Sequence, residues 1–310
     1  MPEGKSPLSS RVLLALISIV FVATIPWFQI NPYIIHIIIL MGIYIIYSSS
    51  WNLLAFSGQA SLGHSAFLGL GGYFSTLLVI NFGINPWLGL VAGASFAAVM
   101  GTLIGLTCVR LREWFLAMVT FGFAIIAETI IAALDWITQG TTGYATPSLV
   151  SGRFQYYYVV MGLVIITILA VHFIIRSKVG LALSAIRENE LEAESSGINA
   201  VKYRLLAFTL SAFIAGVAGV ILAHYIGYIS NEIFSFHHSF MPLIMSVTGG
   251  LNTVGGPIIG SIIILTIWEA LKVINPIQRM IVIGLFLVLI VIFMPRGVIS
   301  LIKRYFRFAW

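Results

Sequence analysis

The sequence predicts an all-α polytopic membrane protein of about ten transmembrane segments, some short or broken, and three observations predict it. Charged residues make up only 8% of the chain while 60% of its 310 residues are hydrophobic, and the mean hydropathy is +1.06. A globular protein in water carries charge on about a quarter of its residues. Apolar runs recur from Val12 to Met294, each near the length that crosses about 30 Å of hydrocarbon. Third, the basic residues fall on one side of a ten-crossing count, the asymmetry expected when positive loops stay in the cytoplasm.

A cytoplasmic arm, residues 1–11, precedes a first group of about six spans within 12–175. The first runs from Val12 to Phe28 and breaks at QINP (29–32); the second runs from Tyr33 to Tyr47. After SSSWNLLAFSGQ the third covers Ala60 to Ile80, and NFGINP forms a turn in which Asn and Pro are natural breakers. Trp87 to Val109 makes the fourth, stopped by RLRE at 110–113, and Trp114 to Leu134 makes the fifth. A long connection rich in Thr, Gly and Ser leads to the sixth, Tyr157 to Ile175. The charged region 176–204 follows as a cytoplasmic loop, and about four more spans occupy 205–294. The run from Phe240 to Leu271 is too long for one span and is broken by GGLNTVGGP, which makes it two segments joined by a tight turn. Residues 295–310 form a basic cytoplasmic tail. With a cytoplasmic N-terminus, all of the 16 Lys and Arg residues but Arg153, Lys272 and Arg279 face inward. The net charge of +6 is therefore a topology signal and not a nucleic-acid-binding surface. Phe154, Tyr156, Tyr157 and Tyr158 fit an interfacial aromatic belt or packing against neighbouring loops.

Two stretches are dense in glycine. In SLGHSAFLGLGGYF (61–74), Gly63 and Gly69 with their neighbours either let helices approach closely or open a helix along a solute path. His64 is a hydrogen-bonded structural histidine or a substrate contact. In SVTGGLNTVGGPIIG (246–260), Gly249, Gly250, Gly255 and Gly256 mark a turn, with Pro257 placed to start a new helix. The amides there either close a turn or face a carboxylate from a helix N-terminus. Glu128 lies well inside the fifth span with no Lys or Arg three or four positions away, so it belongs to a subunit contact or to a translocation cavity. Glu269 has a local partner in Lys272. His237 and His238 read as loop residues, without the carboxylate or cysteine pattern of a zinc site. Cys108, the one cysteine, is a small core hydrophobe.

Four of the ten acidic residues crowd into RENELEAESSGIN, 187–199. The expectation is a helix from Leu183 to Glu194 ended by Gly197 in the left-handed conformation. Glu188 with Glu192, and Glu190 with Glu194, are like-charge pairs that Arg187 offsets in part through Glu190. Such a helix is poorly self-supported, so it is a solvated loop or it is received by a basic partner. Ile186, Leu191, Ala193 and Ile198 would give that partner an apolar edge. The phosphate-binding GxxxxGK[ST] loop is absent, so the chain is not expected to bind ATP by that route, and HExxH, GxSxG and CxxC are absent too, which leaves no convincing enzyme constellation.

The run RENELEAESSGINAVKYRLLAFTLSAFIAGVAG (187–219) resembles the coupling loop and following helix of the permease subunits of bacterial branched-chain amino acid ABC importers, of the LivM type. SLGHSAFLGLGGY (61–73), FLAMVTFGFAIIAE (115–128) and TGGLNTVGGPIIG (248–260) agree in order. Ser195 and Ser196 stand where family members often have alanine, and Glu113 where they have glycine. The resemblance implies a heterodimer with a second, related permease, two cytoplasmic ATPase subunits and an extracytoplasmic binding protein, in the inner membrane of a bacterium. ATP and Mg would be bound by the ATPases and no cofactor by this chain. Arg187, Glu190, Glu194 and Gly197 would belong to the ATPase-coupling loop. A permease for urea or short amides, a stand-alone channel or ion-coupled transporter, and a membrane scaffold are the rival expectations.

Overall fold

The computed structural model describes residues 31–108, 111, 113–294 and 297–300, together with residue 24. The arm at 1–11, the predicted first span over Val12–Phe28 apart from residue 24, Arg110 and Arg112 of RLRE, and the basic residues of the tail lie outside the described residues. The helices are α1 (Pro32–Ala55), α2 (His64–Phe82), α3 (Pro86–Cys108), α4 (Glu113–Ala133), α5 (Asp135–Thr138), α6 (Arg153–Arg176), α7 (Lys178–Glu188), α8 (Glu190–Ser195), α9 (Ala200–Ile226), α10 (Phe236–Gly249), α11 (Gly256–Ala270) and α12 (Pro276–Phe293). Seven of the described helices are long and apolar enough to cross a membrane. At 14 residues α10 is shorter; its rise of about 21 Å falls short of a hydrocarbon core of about 30 Å.

Helix ends follow local chemistry. Asn-Pro pairs open α1, α3 and α12: the Asn31, Asn85 and Asn275 side chains accept hydrogen bonds from the amides of Tyr33, Trp87 and Ile277 at 2.9, 3.0 and 3.1 Å. Gly83 and Gly227 close α2 and α9 at φ of +64° and +76°. The 240–271 run resolves into α10 and α11, which meet at Gly250–Gly255, and Pro257 sits in the first turn of α11 as the sequence predicts.

Small residues set the core. A Cβ on Gly71 would stand 2.7 Å from the Gly216 Cα, and one on Gly216 would stand 2.6 Å from the Ala97 Cβ. A Cβ on Gly219 would overlap the Leu68 carbonyl. Helices α2, α3 and α9 therefore touch backbone to backbone, and α1 packs on α9 and is joined to α6 where Gly42 faces Val160. The α10–α11 hairpin closes on itself through Gly249, Gly256 and Gly260, each against a facing backbone carbonyl, and packs on α1.

Five sequence expectations are corrected. Helix α1 runs on through SSSWNLLA to Ala55 instead of stopping at Tyr47, because Ser48, Ser50, Trp51 and Asn52 are buried against protein and find partners there. The helix expected over Leu183 to Glu194 is two, broken at Asn189, whose φ of −156° and ψ of 109° are extended. Tyr156 and Tyr157 are buried and only Phe154 and Tyr158 are exposed, so half of the aromatic group is core. His237 and His238 lie in the first turn of α10 and not in a loop. Of the apolar edge expected from Ile186, Leu191, Ala193 and Ile198, Ile186 and Ala193 are buried within the chain and not open to a partner; β1 (Tyr144–Ala145) and β2 (Tyr228–Ile229) add a short antiparallel pair to the all-α fold. Cys108 is buried, as expected of a core residue.

Adding side-chain bulk where backbones touch costs at least the roughly 1–3 kcal/mol of an overpacked core. The Gly219→Val chain is expected to lose its monodisperse peak in size-exclusion chromatography at a markedly lower heating temperature than the unsubstituted chain. Gly162→Ala, whose Cβ meets nothing within 4 Å, should leave that temperature unchanged. Equal heat resistance of the two variants would contradict the close approach.

Candidate functional site

The glycine-dense stretches 61–73 and 246–260 meet across the buried C-terminal half of α1, where a seam of polar side chains runs through the bundle. His64 Nε2 lies 2.8 Å from Ser50 Oγ and 3.4 Å from Ser211 Oγ. The Ser50 hydroxyl donates to the Tyr47 carbonyl at 2.6 Å, and the Ser211 hydroxyl to the Ser50 carbonyl at 2.7 Å. With both hydroxyl protons committed, His64 must donate through Nε2, which leaves Nδ1 an acceptor. That Nδ1 is buried with no partner among the described residues, as are Tyr73 Oη and Thr248 Oγ1. Unpartnered buried polar atoms are found where water or a ligand completes a site.

The seam continues on both sides of His64. Ser65 donates to the Phe234 carbonyl at 2.9 Å and lies 2.5 Å from Ser239 Oγ. Ser48 Oγ is 2.8 Å from Ser261 Oγ, and Ser246 donates to the Ser48 carbonyl at 3.1 Å. Asn52 clamps the α10–α11 turn, donating to the Thr253 carbonyl at 2.9 Å and accepting from the Asn252 amide at 3.0 Å. Thr253 Oγ1 accepts from the Gly256 amide at 3.0 Å, so this first amide of α11 is held by the turn itself. The reading of the sequence missed Ser48, Ser50 and Asn52. Their signal was present as SSSWN, a polar run continuous with an apolar one, but apolar length finds the part of a helix that faces lipid and not the part that faces protein.

Proline positions one of these contacts. Pro242 lies inside α10 and has no amide proton, so the His238 carbonyl four residues back loses its helical donor. Tyr47 supplies it, its hydroxyl donating to that carbonyl at 2.9 Å. The ring of His237 lies tilted against Trp268, with centroids 4.5 Å apart. Among the described residues no group of three or more His, Cys, Asp or Glu is placed to hold a metal ion.

The predicted path residues divide by surroundings. A Cβ on Gly63 would overlap the Thr120 carbonyl, and Gly69 faces the Phe234 ring; Gly249 and Gly256 meet the hairpin backbone, and Gly255 faces Ile299. Gly250 takes φ of +133°, a value open to glycine alone. Glu128 is partly buried on α4 and forms no hydrogen bond or ion pair among the described residues. Glu269 pairs with Lys272 at 2.5 Å and accepts from the Tyr33 hydroxyl.

The acidic stretch is better built than its sequence suggests. The break at Asn189 turns Glu190 and Glu192 into first-turn residues of α8, where a helix dipole favours them, instead of last-turn residues of one longer helix. Asn189 caps α8, its side-chain oxygen accepting from the backbone amides of Leu191 and Glu192 while its side-chain Nδ2 donates to Glu192 Oε1 at 2.6 Å. The break also separates Glu188 from Glu192. Glu190 pairs not with Arg187 but with Arg204 of α9 at 2.6 Å, and Arg187 stands 4.0 Å from Glu188. Gly197 takes φ of +84° and ends α8 as expected. Ile186 and Ala193 are buried in a small core with Ala200, leaving Leu191 75% exposed with Glu188, Glu192 and Glu194 around it. The stem of Arg187 rests on Gly58, in the connection from α1 to the His64 seam.

A family model described as branched-chain amino acid transport system / permease component matches residues 33–291. The chain is 28% identical to the high-affinity branched-chain amino acid transport system permease protein LivM of Escherichia coli K12, over 97% of this chain and 77% of that protein. It is 27% identical to the corresponding permease protein LivH of the same organism, over 78% of this chain and 86% of that one. Similarity extends to a probable LivM of Methanocaldococcus jannaschii, 24% identical over 72% of this chain and 77% of that protein. No solved structure gives a significant match.

Removing the Tyr47 hydroxyl leaves a buried carbonyl unsatisfied, which costs about 1–3 kcal/mol. Tyr47→Phe should therefore destabilise the chain in detergent unfolding. Pro242→Ala, which returns an amide proton to the His238 carbonyl, should reduce that loss by more than half when the two changes are combined. Additive losses in the double-mutant cycle would show that Tyr47 and Pro242 are not coupled through this carbonyl.

Proposed function

From the premise that the chain belongs to the branched-chain amino acid transport system permease family, we propose that it carries leucine, isoleucine and valine into a bacterial cytoplasm as one half of a heterodimeric, ATP-driven pore. It is a permease component of a branched-chain amino acid ABC importer, and transport of this kind moves a solute without changing its bonds. In the proposed assembly a related permease completes the pore, two ATPase subunits sit on the cytoplasmic face and an extracytoplasmic protein delivers the solute. Ten crossings, with both termini cytoplasmic, put α7 and α8 on the ATPase side, as the bias of Lys and Arg supports.

The observation that carries the coupling is the pair of supports under α8. Arg204 ties Glu190 to α9, the helix that bears Ser211, and the Arg187 stem rests on the connection that leads to His64. A push on the exposed Leu191 face therefore reaches both sides of the polar seam through rigid elements. An ATPase groove that receives α8 would bring basic groups to Glu188, Glu192 and Glu194 and bury Leu191.

Two outcomes test this reading. Proteoliposomes holding the complete complex should take up labelled leucine only with ATP and the binding protein, and should leave labelled urea outside. ATP-driven urea uptake would reassign the solute, and leucine flux without ATPases would identify a channel. Gly197→Val forces a β-branched residue into a left-handed conformation that disfavours it. It should lower leucine uptake several-fold and weaken ATPase copurification, whereas intact copurification with normal coupled flux would contradict docking through residues 187–197.

A further inference from the structure

The chain does not stay helical between α9 and α10. After Gly227 it turns back into the bundle and descends along α2: Ile229 lies against Gly72, the Phe234 ring lies against Gly69 and stacks on Tyr73 at 5.9 Å, and the Phe234 carbonyl accepts from Ser65. Residues 228–235 comprise the two-residue strand, a 3-10 turn at Asn231–Phe234 and extended linkers at Ser230 and Ser235. Helix α10 thus begins at the level of Ser65 in the first turn of α2, beside His64, which meets Ser211 near the middle of α9. Irregular backbone at membrane depth is tolerated only where protein buries it or a watery cavity receives it. Here α2 and α4 cover the 3-10 turn, while Tyr228, Glu232 and the following Phe236 are left exposed.

That exposed side has a defined chemistry. Phe236 stacks on Phe240 at 4.0 Å and meets the edge of Phe121 on α4 at 5.7 Å. Glu128 follows Phe121 by seven residues, so it continues the same face of α4 about 10.5 Å further along. Both side chains lean toward the N-terminus of the helix, so that spacing between ring and carboxylate is kept. The 3-10 turn packs against α4 and exposes a second carboxylate, Glu232. Neither α4 nor residues 228–249 contain a Lys or Arg. A carboxylate with no cation beside it is costly against lipid tails, so this face meets water, protein or a cationic solute.

We propose that the face shared by α4 and the α9–α10 break is this subunit's solute wall, with Glu128 holding the ammonium group and Phe121, Phe236 and Phe240 receiving the aliphatic side chain. The assignment rests on the amino acid substrate proposed above. The aromatic floor and the single sign of charge fit a zwitterion entering ammonium toward Glu128. The discontinuous segment supplies the wall because it frees α10 to start mid-depth, and Tyr47 and Ser65 anchor that start from behind.

The test uses the complete transporter in proteoliposomes, in a Cys108→Ala background. A membrane-impermeant thiol reagent should modify Phe236→Cys readily, and leucine delivered by its binding protein should slow that modification several-fold. Ile126→Cys, exposed but turned about 140° from Phe121 on α4, should react at least ten-fold more slowly. Equal reactivity at the two positions, or modification of Phe236→Cys that leucine leaves unchanged, overturns the assignment of the wall. Glu128→Gln should cut leucine uptake at least ten-fold with its partners still copurifying, and Glu128→Asp should restore part of it; normal uptake by Glu128→Gln overturns the ammonium contact. If the unsubstituted complex moves no leucine, the substrate reading fails before any variant is made, which keeps the two failures apart.

Discussion

The contact of α2 with α9, glycine against glycine and glycine against carbonyl, is the constraint on which the remaining structure depends. In hydrocarbon there is no water to drive apolar faces together, so helices associate where small residues let backbones approach. Gly71 against Gly216 and Gly219 against Leu68 fix the two helices in depth as well as distance. That register places Ser75 Oγ 2.8 Å from His224 Nε2, and His64 within reach of Ser211. Polar side chains such as Ser50, Ser75 and Ser211 can then be buried in a membrane protein because they arrive opposite partners. It also decides where the chain may cease to be helical, since residues 228–235 lie in the groove that Gly69 and Gly72 leave beside α2.

The same economy of partners governs α10. Proline would ordinarily be excluded from a helix interior, yet Pro242 is accommodated by one hydroxyl from α1. In the proposed coupling, α7 and α8 have short routes to this region: one through Glu190, Arg204 and α9, the other through Arg187 and the loop before His64. One ends at Ser211 and the other at His64, whose neighbour Ser65 bonds Ser239 of α10, so in the proposed coupling a tilt of α8 is passed to the wall that α10 and the preceding segment form. In this account Glu190 is a tie to the permease core, and the exposed carboxylates beside Leu191 are the part offered to a partner.

What the sequence made legible was whatever depends on apolar length and on glycine. The helices from α1 onward, the hairpin turn at Gly250–Gly255 and the left-handed Gly197 follow from those two signals alone. Illegible were features set by contacts distant in the chain. SSSWN reads as a loop until Ser211, Thr253 and Ser261 are brought beside it. Asn189 reads as one more helical residue until Arg204 claims Glu190 and its side chain is seen to cap α8. Tyr156 reads as a surface aromatic, though its hydroxyl donates to the His224 carbonyl at 2.6 Å and accepts from the Leu149 amide at 2.7 Å. Of the candidate site, residues 61–73 and 246–260 were found by glycine density; the re-entrant segment between α9 and α10 was not, because nothing in its composition marks depth.

The central claim is that this chain is one of two different permeases in an importer and is incomplete without its ATPases. Native mass spectrometry of the chain purified in mild detergent from its own cells measures this most directly. The account predicts a particle with one copy of this chain, one copy of a second related permease and two ATPase subunits. A particle holding only copies of this chain would contradict it.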